Sequence, residues 1–598
     1  MSADPLAGGA EAVAQAWPPP ATNHGATQSP IAARARRQLA PVGSSAGAEQ
    51  HAPPARACAW PGPAITALLV AIAACNVVTH SHPWLDADEG IYLVIGRDLG
   101  AVGTSARERA GAVERGQRAG VPGLPRPRRL GPQRLPYRDV WDNHMPGIYA
   151  VTWLVTRAGS GPGMTAALRL MAAAVWLASV ALAARAWRLP SGRARLVLAA
   201  LPVAVLLHPA LNGDSLYTEY GEACAGLLAL SALVLAERTS RAWAAGGWSA
   251  LAGLLTAAAI AFRPTAALYL APLLWLAAGC GQSTGRRALS AAGLVAGAGA
   301  GVGALAAGLA SAGALDDCVQ LVFGANARIS ETRDLAHDLR GLGVLVASSI
   351  CMGSVIVLAR RGTPWLRERY PRAAPAAWAL VAVAVVEALL PRKGWPHYLL
   401  PAFCFLLPLA WGALAEGGQG PRRRNGVLVG FLVVSLLYSL GWAGVTLARW
   451  VRPRPLEVYG VPLSRLTALL RPGDTVWSGG TRGADLYWDT GCPSATRYLY
   501  ASSGAAQSGI AAETLLADLR AHRPRLVLIG PEWLDPASDL GPAVPAGLPA
   551  YLASAYIRET AGMPGRGAAP RPGGLGGVGP SKRPAALFVL RGTPAPGR

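Results

Sequence analysis

Charge is scarce in this chain. Only 15% of its 598 residues are Asp, Glu, Lys or Arg, well under the ~25% usual in soluble domains, and 52% are hydrophobic. So little charge cannot cover the surface of a soluble protein of this length, and the bilayer is the solvent that tolerates it. Cysteine is sparse as well. The eight present form no CxxC, and Cys75, Cys224, Cys280, Cys351 and Cys404 fall in apolar runs, which argues for neither a disulfide framework nor a zinc site. HExxH, a Walker loop and a GxSxG elbow are all missing. The apolar runs hold almost no ionisable residues away from their ends, whereas carriers coupled to ions or protons bury such groups at mid-membrane; no internal repeat is visible either. A transporter or flippase is therefore the weaker reading, and a non-catalytic membrane scaffold is a third.

What the chain does have is hydrophobic length. Windows near the ~20 residues that span a hydrocarbon core recur at 63–80, 165–187, 195–211, 220–236, 243–262, 264–280, 289–312, 341–360, 374–390, 396–415 and 426–448, predicting about eleven membrane helices. The net charge of +22 could point to nucleic acid, but the placement of the arginines argues against that partner. Arg185, Arg188, Arg193 and Arg195 share one short loop, Arg238 and Arg241 another, and Arg286 and Arg287 a third. Arg360, Arg361, Arg367, Arg369 and Arg372 fill a fourth, and Arg422 to Arg424 a fifth. These are alternate loops. The positive-inside rule puts them in the cytoplasm, with the N-terminus inside and the C-terminus outside the plasma membrane. The first 62 residues, rich in Ala, Pro, Gly and Arg, read as a disordered cytoplasmic tail. Because about 60 residues precede the first apolar run, no cleaved signal peptide is expected.

The outward face then carries a long first loop at 81–164, short segments at 212–219, 313–340 and 391–398, and the tail from 449 onward. The first loop opens on WLDADEGIYLVIGRDL, with Asp86, Asp88 and Glu89 where the chain leaves the membrane. Asp86 and Glu89, three apart, can share a helix face, whereas the adjacent Asp88 and Glu89 diverge by about 100°. One carboxylate could do chemistry while another orients it; Asp86 or Asp88 would equally serve as a helix cap. Residues 101–134, with eight arginines, two glutamates and many Gly and Pro, read as a flexible insertion. Beyond it, LPYRDVWDNHMPGIYAV packs Tyr137, Arg138, Asp142 and His144 into one short stretch, in isolation an aromatic interfacial belt. PRKGWPHYLLP puts Arg392, Lys393 and His397 on the outward side, against the charge trend, where they suit a phosphate-bearing headgroup; Arg263, between two helices, fits the same pattern. The glycines of GAGAGVG at 297–303 miss the dinucleotide spacing and are assigned to close helix packing.

In the tail, TVWSG, TRYLY, RLVLIG and ALFVLRG read as strands, with GADLYWDTG, AAETLLADLRAH and LPAYLASAYIRETA helical between them. The expected architecture is a polytopic α-helical module over 63–448 followed by a small α/β domain over 449–598, interrupted by a Gly/Pro-rich stretch at 563–583.

Several strings together resemble the GT-C superfamily of polytopic glycosyltransferases, in the branch of protein O-mannosyltransferases, aminoarabinose transferases and bacterial galacturonosyltransferases. They are DADEGIYLVIGRDL, PYRDVWDNHMPGIY, LYTEYGEACAGLLALSALVLA, RPTAALYLAPLLWL, WPHYLLPAFCFLLPLAWG and, in the tail, RPGDTVWSGGTRGADLYWDTGCPSATRYLY. The similarity runs in order over about 63 to 530. It implies transfer of a sugar from a polyprenyl-phosphate donor to an envelope lipid, glycan or protein acceptor at the outer face of the membrane, with inversion. The family's catalytic acid position falls on Asp88, with Glu89 beside it. Asp86, Tyr92, Tyr137, Arg138, Asp142, His144, Arg263, Arg392, Lys393 and His397 are the candidates for substrate binding. Two departures stand out: the family commonly has lysine where this chain has His144, and the insertion at 101–134 separates motifs that usually lie close. No nucleotide sugar is expected to be needed, and a divalent cation is left open; if the reaction uses one, the paired carboxylates Asp86 and Asp88 are the hard ligands for it.

Overall fold

The computed structural model describes residues 63–80, 87–100, 162–188, 194–211, 217–281, 283–327, 335–391, 394–415 and 422–451, and parts of 136–157. In the tail it describes parts of 457–499, 512–533, 544–559 and 586–591. The N-terminal tail, the insertion at 101–134 and the Gly/Pro-rich stretch at 563–583 lie outside the described residues.

The chain enters as α1 (Pro63–His80), then forms α2 (Ala87–Gly100) and α3 (Gly147–Thr156) on either side of the insertion. The long helices follow: α4 (Pro162–Ala186), α5 (Ala194–Leu206), α6 (Thr218–Arg238), α7 (Ala242–Phe262), α8 (Leu270–Ala278) after a 3₁₀ turn at Pro264–Tyr269, and α9 (Thr284–Ser311). Next come α10 (Leu315–Val319), α11 (Leu335–Cys351), α12 (Gly353–Arg369), α13 (Ala373–Leu389), α14 (Leu400–Ala415) after a 3₁₀ turn at Pro396–Leu399, and α15 (Arg422–Val451). Among the described residues six helices are long and apolar enough to cross a membrane, or seven if α11 and α12 count as one bent span; the 264–278 and 373–389 segments are shorter apolar helices.

The 341–360 window, expected as a single helix, is broken. α11 and α12 meet at an angle of 63°. The break falls at Met352 and Gly353, where the Phe431 ring lies against the glycine so closely that a Cβ would sit 2.5 Å from it. The segment at 313–340 is partly helical instead of loop, because α10 and the π-turn Gln320–Ala325 after it bury Cys318 and Val322 against the first loop.

Small residues set the closest helix contact. A Cβ on Gly297 of α9 would lie 2.0 Å from the Ala250 carbonyl oxygen of α7, so the two backbones touch and only glycine fits between them. This is the packing role expected of the GAGAGVG run, and it holds position by position, since nothing lies within 4 Å of a Cβ at Gly299 or Gly303.

The tail folds as β1 (Glu457–Val458), β2 (Val461–Pro462), α16 (Leu463–Ala468), β3 (Val476–Gly479), α17 (Gly483–Thr490), α18 (Ala512–His522), β4 (Leu526–Ile529), α19 (Leu548–Ala555), β5 (Tyr556–Glu559) and β6 (Ala586–Leu590). One four-stranded sheet runs β3-β4-β6-β5, with β3 and β4 parallel and the other pairs antiparallel. Both faces of β3 and β4 are buried. Trp477, Val527 and Ile529 meet Leu515 and Leu519 of α18 on one face. Val476, Leu526 and Leu528 on the other join a core that also contains Ile91, Tyr92, Leu93 and Val94 of α2. Strand alternation thus makes the sheet a wall shared between the tail and the first loop.

Two tail segments differ from expectation. TRYLY is not a strand: the Thr496 and Ser494 hydroxyls bond neighbouring backbone groups at 2.9–3.2 Å, which satisfies them without a ladder. LPAYLASAYIRETA is helical only to Ala555, after which Tyr556–Glu559 pairs with β6, where aromatic and β-branched residues favour the strand.

Two outcomes follow. Gly297→Leu should lower stability by about 1–3 kcal/mol through overpacking, while Gly299→Leu should be neutral, as read by thermal unfolding in detergent. Burial raises the Asp489 carboxyl of α17 from 3.8 to about 6. The folded state therefore binds its proton more tightly than the unfolded chain, and stability falls as pH rises from about 4 through 6. Asp489→Asn should raise the melting temperature above pH 6, with the gain shrinking as pH is lowered through that window; a pH-independent effect would count against this account.

Candidate functional site

The first turn of α2 is anchored by a buried ion pair. Arg169 of α4 donates from Nε to Glu89 Oε1 at 2.8 Å and from Nη2 to Glu89 Oε2, a two-pronged geometry with both side chains almost fully excluded from solvent. The imidazole Nε2 of His80, at the end of α1, donates to the Arg169 carbonyl at 3.2 Å, so α1, α2 and α4 meet there. This corrects the sequence assignment of Glu89 as a catalytic group: both its oxygens are taken up by a guanidinium in a buried place, which makes it an anchor. Asp88 lies on the backbone of the same turn, but its side chain is outside the described residues, as are Asp86, Arg138, Arg392 and Lys393.

The second first-loop motif forms a polar network on the far side of the insertion. Asp142 is buried, and both its oxygens accept hydrogen bonds: Oδ1 from His144 Nδ1 at 2.7 Å, and Oδ2 from the Tyr149 hydroxyl at 2.6 Å. An ionised carboxylate only accepts, so the His144 proton sits on Nδ1 and the ring is held in one orientation. Tyr92 of α2 meets the His144 ring edge-on at 5.1 Å, and Tyr149 at 6.4 Å. The Tyr137 hydroxyl donates to the His144 carbonyl at 2.6 Å. Its backbone is left-handed, φ 69°, a costly conformation for a bulky residue and one the surroundings must enforce. Burial keeps its phenol protonated, well above the usual tyrosine range. The tail helps enforce it, since Arg497 donates to the Tyr137 carbonyl at 3.1 Å and Arg97 of α2 donates to the Tyr487 carbonyl of α17 at 2.9 Å.

At the same end of the bundle lies a buried charge cluster. Arg263, between α7 and the turn that starts α8, places Nη1 3.3 Å from Glu219 Oε1 and 3.9 Å from Glu222 Oε2, and Nε 3.5 Å from Glu387 Oε1; its guanidinium stacks 4.0 Å above the Tyr398 ring. His397 stacks flat on Tyr217, with centroids 3.9 Å apart. His397 and His144 are both near enough to Glu219 for their charges to act on it, which joins this cluster to the first-loop network. The reading of Arg263 as a phosphate ligand is corrected here. A guanidinium facing three carboxylates offers no net positive charge to an anion.

Sequence reasoning missed Arg169, Glu219, Glu222, Glu387, Tyr149 and Tyr269. The signal was there: Arg169 and Glu387 are lone charges in apolar runs, and Glu219 and Glu222 are spaced to share a helix face. The expectation of almost no ionisable groups away from the helix ends left those near the ends unexamined, and packing buries several of them there. Among the described residues no cluster of His, Cys, Asp and Glu is arranged to hold a metal ion.

No family model matches the chain, and no curated protein sequence matches it. Solved structures do. The chain is similar to ArnT from Cupriavidus metallidurans in the apo state, with a TM-score of 0.51 and 14% identity over 87% of this chain and 97% of that one. It is also similar to the archaeal oligosaccharyltransferase AglB from Archaeoglobus fulgidus, at a TM-score of 0.43 and 11% identity over 83% of this chain and 73% of that one. The arabinofuranosyltransferase AftD from Mycobacteria gives a TM-score of 0.44 and 16% identity over 88% of this chain, which spans 40% of that protein. The match to ArnT covers most of both chains and is a likeness of fold: this chain shares an ArnT-like helical architecture, with several apolar helices and a small C-terminal sheet.

Proposed function

We propose that the chain is an integral-membrane glycosyltransferase of the plasma membrane, with the N-terminus cytoplasmic and the C-terminal domain outside. It transfers a sugar from a polyprenyl-phosphate donor to an envelope lipid, glycan or protein acceptor. The observation that carries this reading is convergence. Tyr92, the Asp142–His144 pair, Glu219 and His397, from four separate stretches of sequence, come together at one end of an ArnT-like helical bundle.

The chemistry requires a base for the acceptor hydroxyl and a partner for the departing phosphate. Asp88 is the base in this scheme. It takes the acceptor's proton, the acceptor oxygen attacks the anomeric carbon, and the bond from that carbon to the lipid phosphate oxygen breaks on the opposite face, with inversion. The Glu89–Arg169 pair supports this role by fixing the helical turn that carries Asp88. His144, held by Asp142, and His397, with Arg392 and Lys393 in the adjacent turn, are the groups for the leaving phosphate. His144 carries one proton on Nδ1 and can take a second on Nε2, so an imidazolium there would do the work of the lysine common in the resembled family. Asp86 and Asp88 would hold a divalent cation if the reaction uses one.

The reading is tested on protein in lipid nanodiscs with a panel of polyprenyl-phosphate sugars and a crude envelope acceptor extract, following release of the lipid phosphate. Turnover with one donor is expected, falling about 100-fold or more in Asp88→Asn. Wild-type turnover in that variant would remove Asp88 as the base. Asp142→Asn should cost about tenfold or more, because the amide no longer fixes the His144 tautomer; an unchanged rate would leave the pair a packing feature.

A further inference from the structure

Around Tyr269 there are more hydrogen bonds than ionised side chains can supply. Its phenol oxygen stands 2.5 Å from Glu222 Oε1 and 2.7 Å from Glu387 Oε2. Two bonds this short require two protons. The phenol has one and a carboxylate has none, so the second must come from a carboxyl group. The surrounding contacts say which one. Glu387 Oε1 accepts from the Thr265 hydroxyl and faces Arg263 Nε at 3.5 Å, the environment of an ionised carboxylate. Glu222 Oε2 is buried and has no hydrogen-bond partner among the described residues, and its distance to Arg263 Nη1 is 3.9 Å. A charged oxygen left so poorly served would be costly, whereas the carbonyl oxygen of a neutral acid is not. Charge counting agrees. Glu219, Glu222 and Glu387 surround one guanidinium, and full ionisation would leave two negative charges uncompensated in a buried place.

We propose that Glu222 is a resident proton carrier, a neutral acid whose Oε1–H donates to Tyr269, which donates in turn to the carboxylate of Glu387. No proton is consumed or released. The chain of bonds leaves Arg263 with two ionised partners, Glu387 and Glu219, and its nearest contact is with Glu219. Glu222, Tyr269 and Glu387 are accordingly positioning residues. They hold Arg263, and Arg263 holds Glu219 in the first turn of α6. The proposal stands on hydrogen-bond geometry and does not depend on the transfer reaction.

Infrared spectroscopy of the full-length protein in nanodiscs near pH 8, where Asp489 and exposed carboxyls are ionised, tests it. A carbonyl stretch of a protonated carboxylic acid is expected in the wild type, moved by ¹³C-glutamate labelling, retained in Glu219→Gln and lost in Glu222→Gln. The glutamine amide can donate to Tyr269 as the acid does, so Glu222→Gln should keep its melting temperature, while Glu387→Gln should lower it, because one of its two accepting oxygens becomes an NH2 donor and the charge facing Arg263 is lost. Absence of the band, or its survival in Glu222→Gln, overturns the proposal. Should a variant fail to accumulate, the labelled wild type decides alone, since a band that does not move with ¹³C-glutamate is not this acid.

Discussion

The buried pair between Glu89 and Arg169 is the constraint on which the end of the bundle that carries the candidate site depends. A single ionised residue in that place would be strongly disfavoured, and breaking such a pair costs about 3–5 kcal/mol because it leaves its partner uncompensated. Here the two-pronged geometry satisfies both oxygens of the carboxylate. The pair joins α2 to α4, and His80 adds α1 through the Arg169 carbonyl. It therefore fixes where the first loop leaves the bundle, at the turn that carries Asp88.

The tail is part of the same construction. Its central strands place Val476, Leu526 and Leu528 in the same apolar core as the helix that carries Tyr92, with α17 packed against both β3 and that helix, and two arginines, Arg97 and Arg497, bond carbonyls across the boundary. The second of these bonds reaches Tyr137, whose left-handed backbone needs outside support. Shared apolar area holds the two parts together, and directional hydrogen bonds set their register.

Charge at this end of the bundle follows a consistent rule. Carboxylates buried there are matched by a guanidinium, by tyrosine or threonine hydroxyls, or by a proton: Glu89 by Arg169, Asp142 by Tyr149 and His144, Glu387 by Arg263 and Thr265. In a medium without water the cost of an unmatched charge is high enough that the network must close. That closure gives a candidate site made of polar groups a fixed geometry, where a loose arrangement would leave it adaptable.

Hydrophobic length in the sequence was enough for a polytopic helical chain, because the requirement that backbone polar groups be satisfied inside a bilayer leaves only helices for such windows. The GAGAGVG run was legible as a packing surface for the same reason that its spacing excluded a nucleotide. The candidate site was half legible. Asp142, His144 and His397 stood out as polar residues in aromatic surroundings, but nothing in the string shows that Asp142 grips His144 or that Arg263 faces three glutamates. Partner choice across more than a hundred residues, as between Thr265 and Glu387, is decided by which helix ends pack together. The tertiary structure alone moved Glu89 from reactant to anchor and Arg263 from phosphate ligand to counter-ion, because ion pairing depends on distance in space and sequence records only distance along the chain.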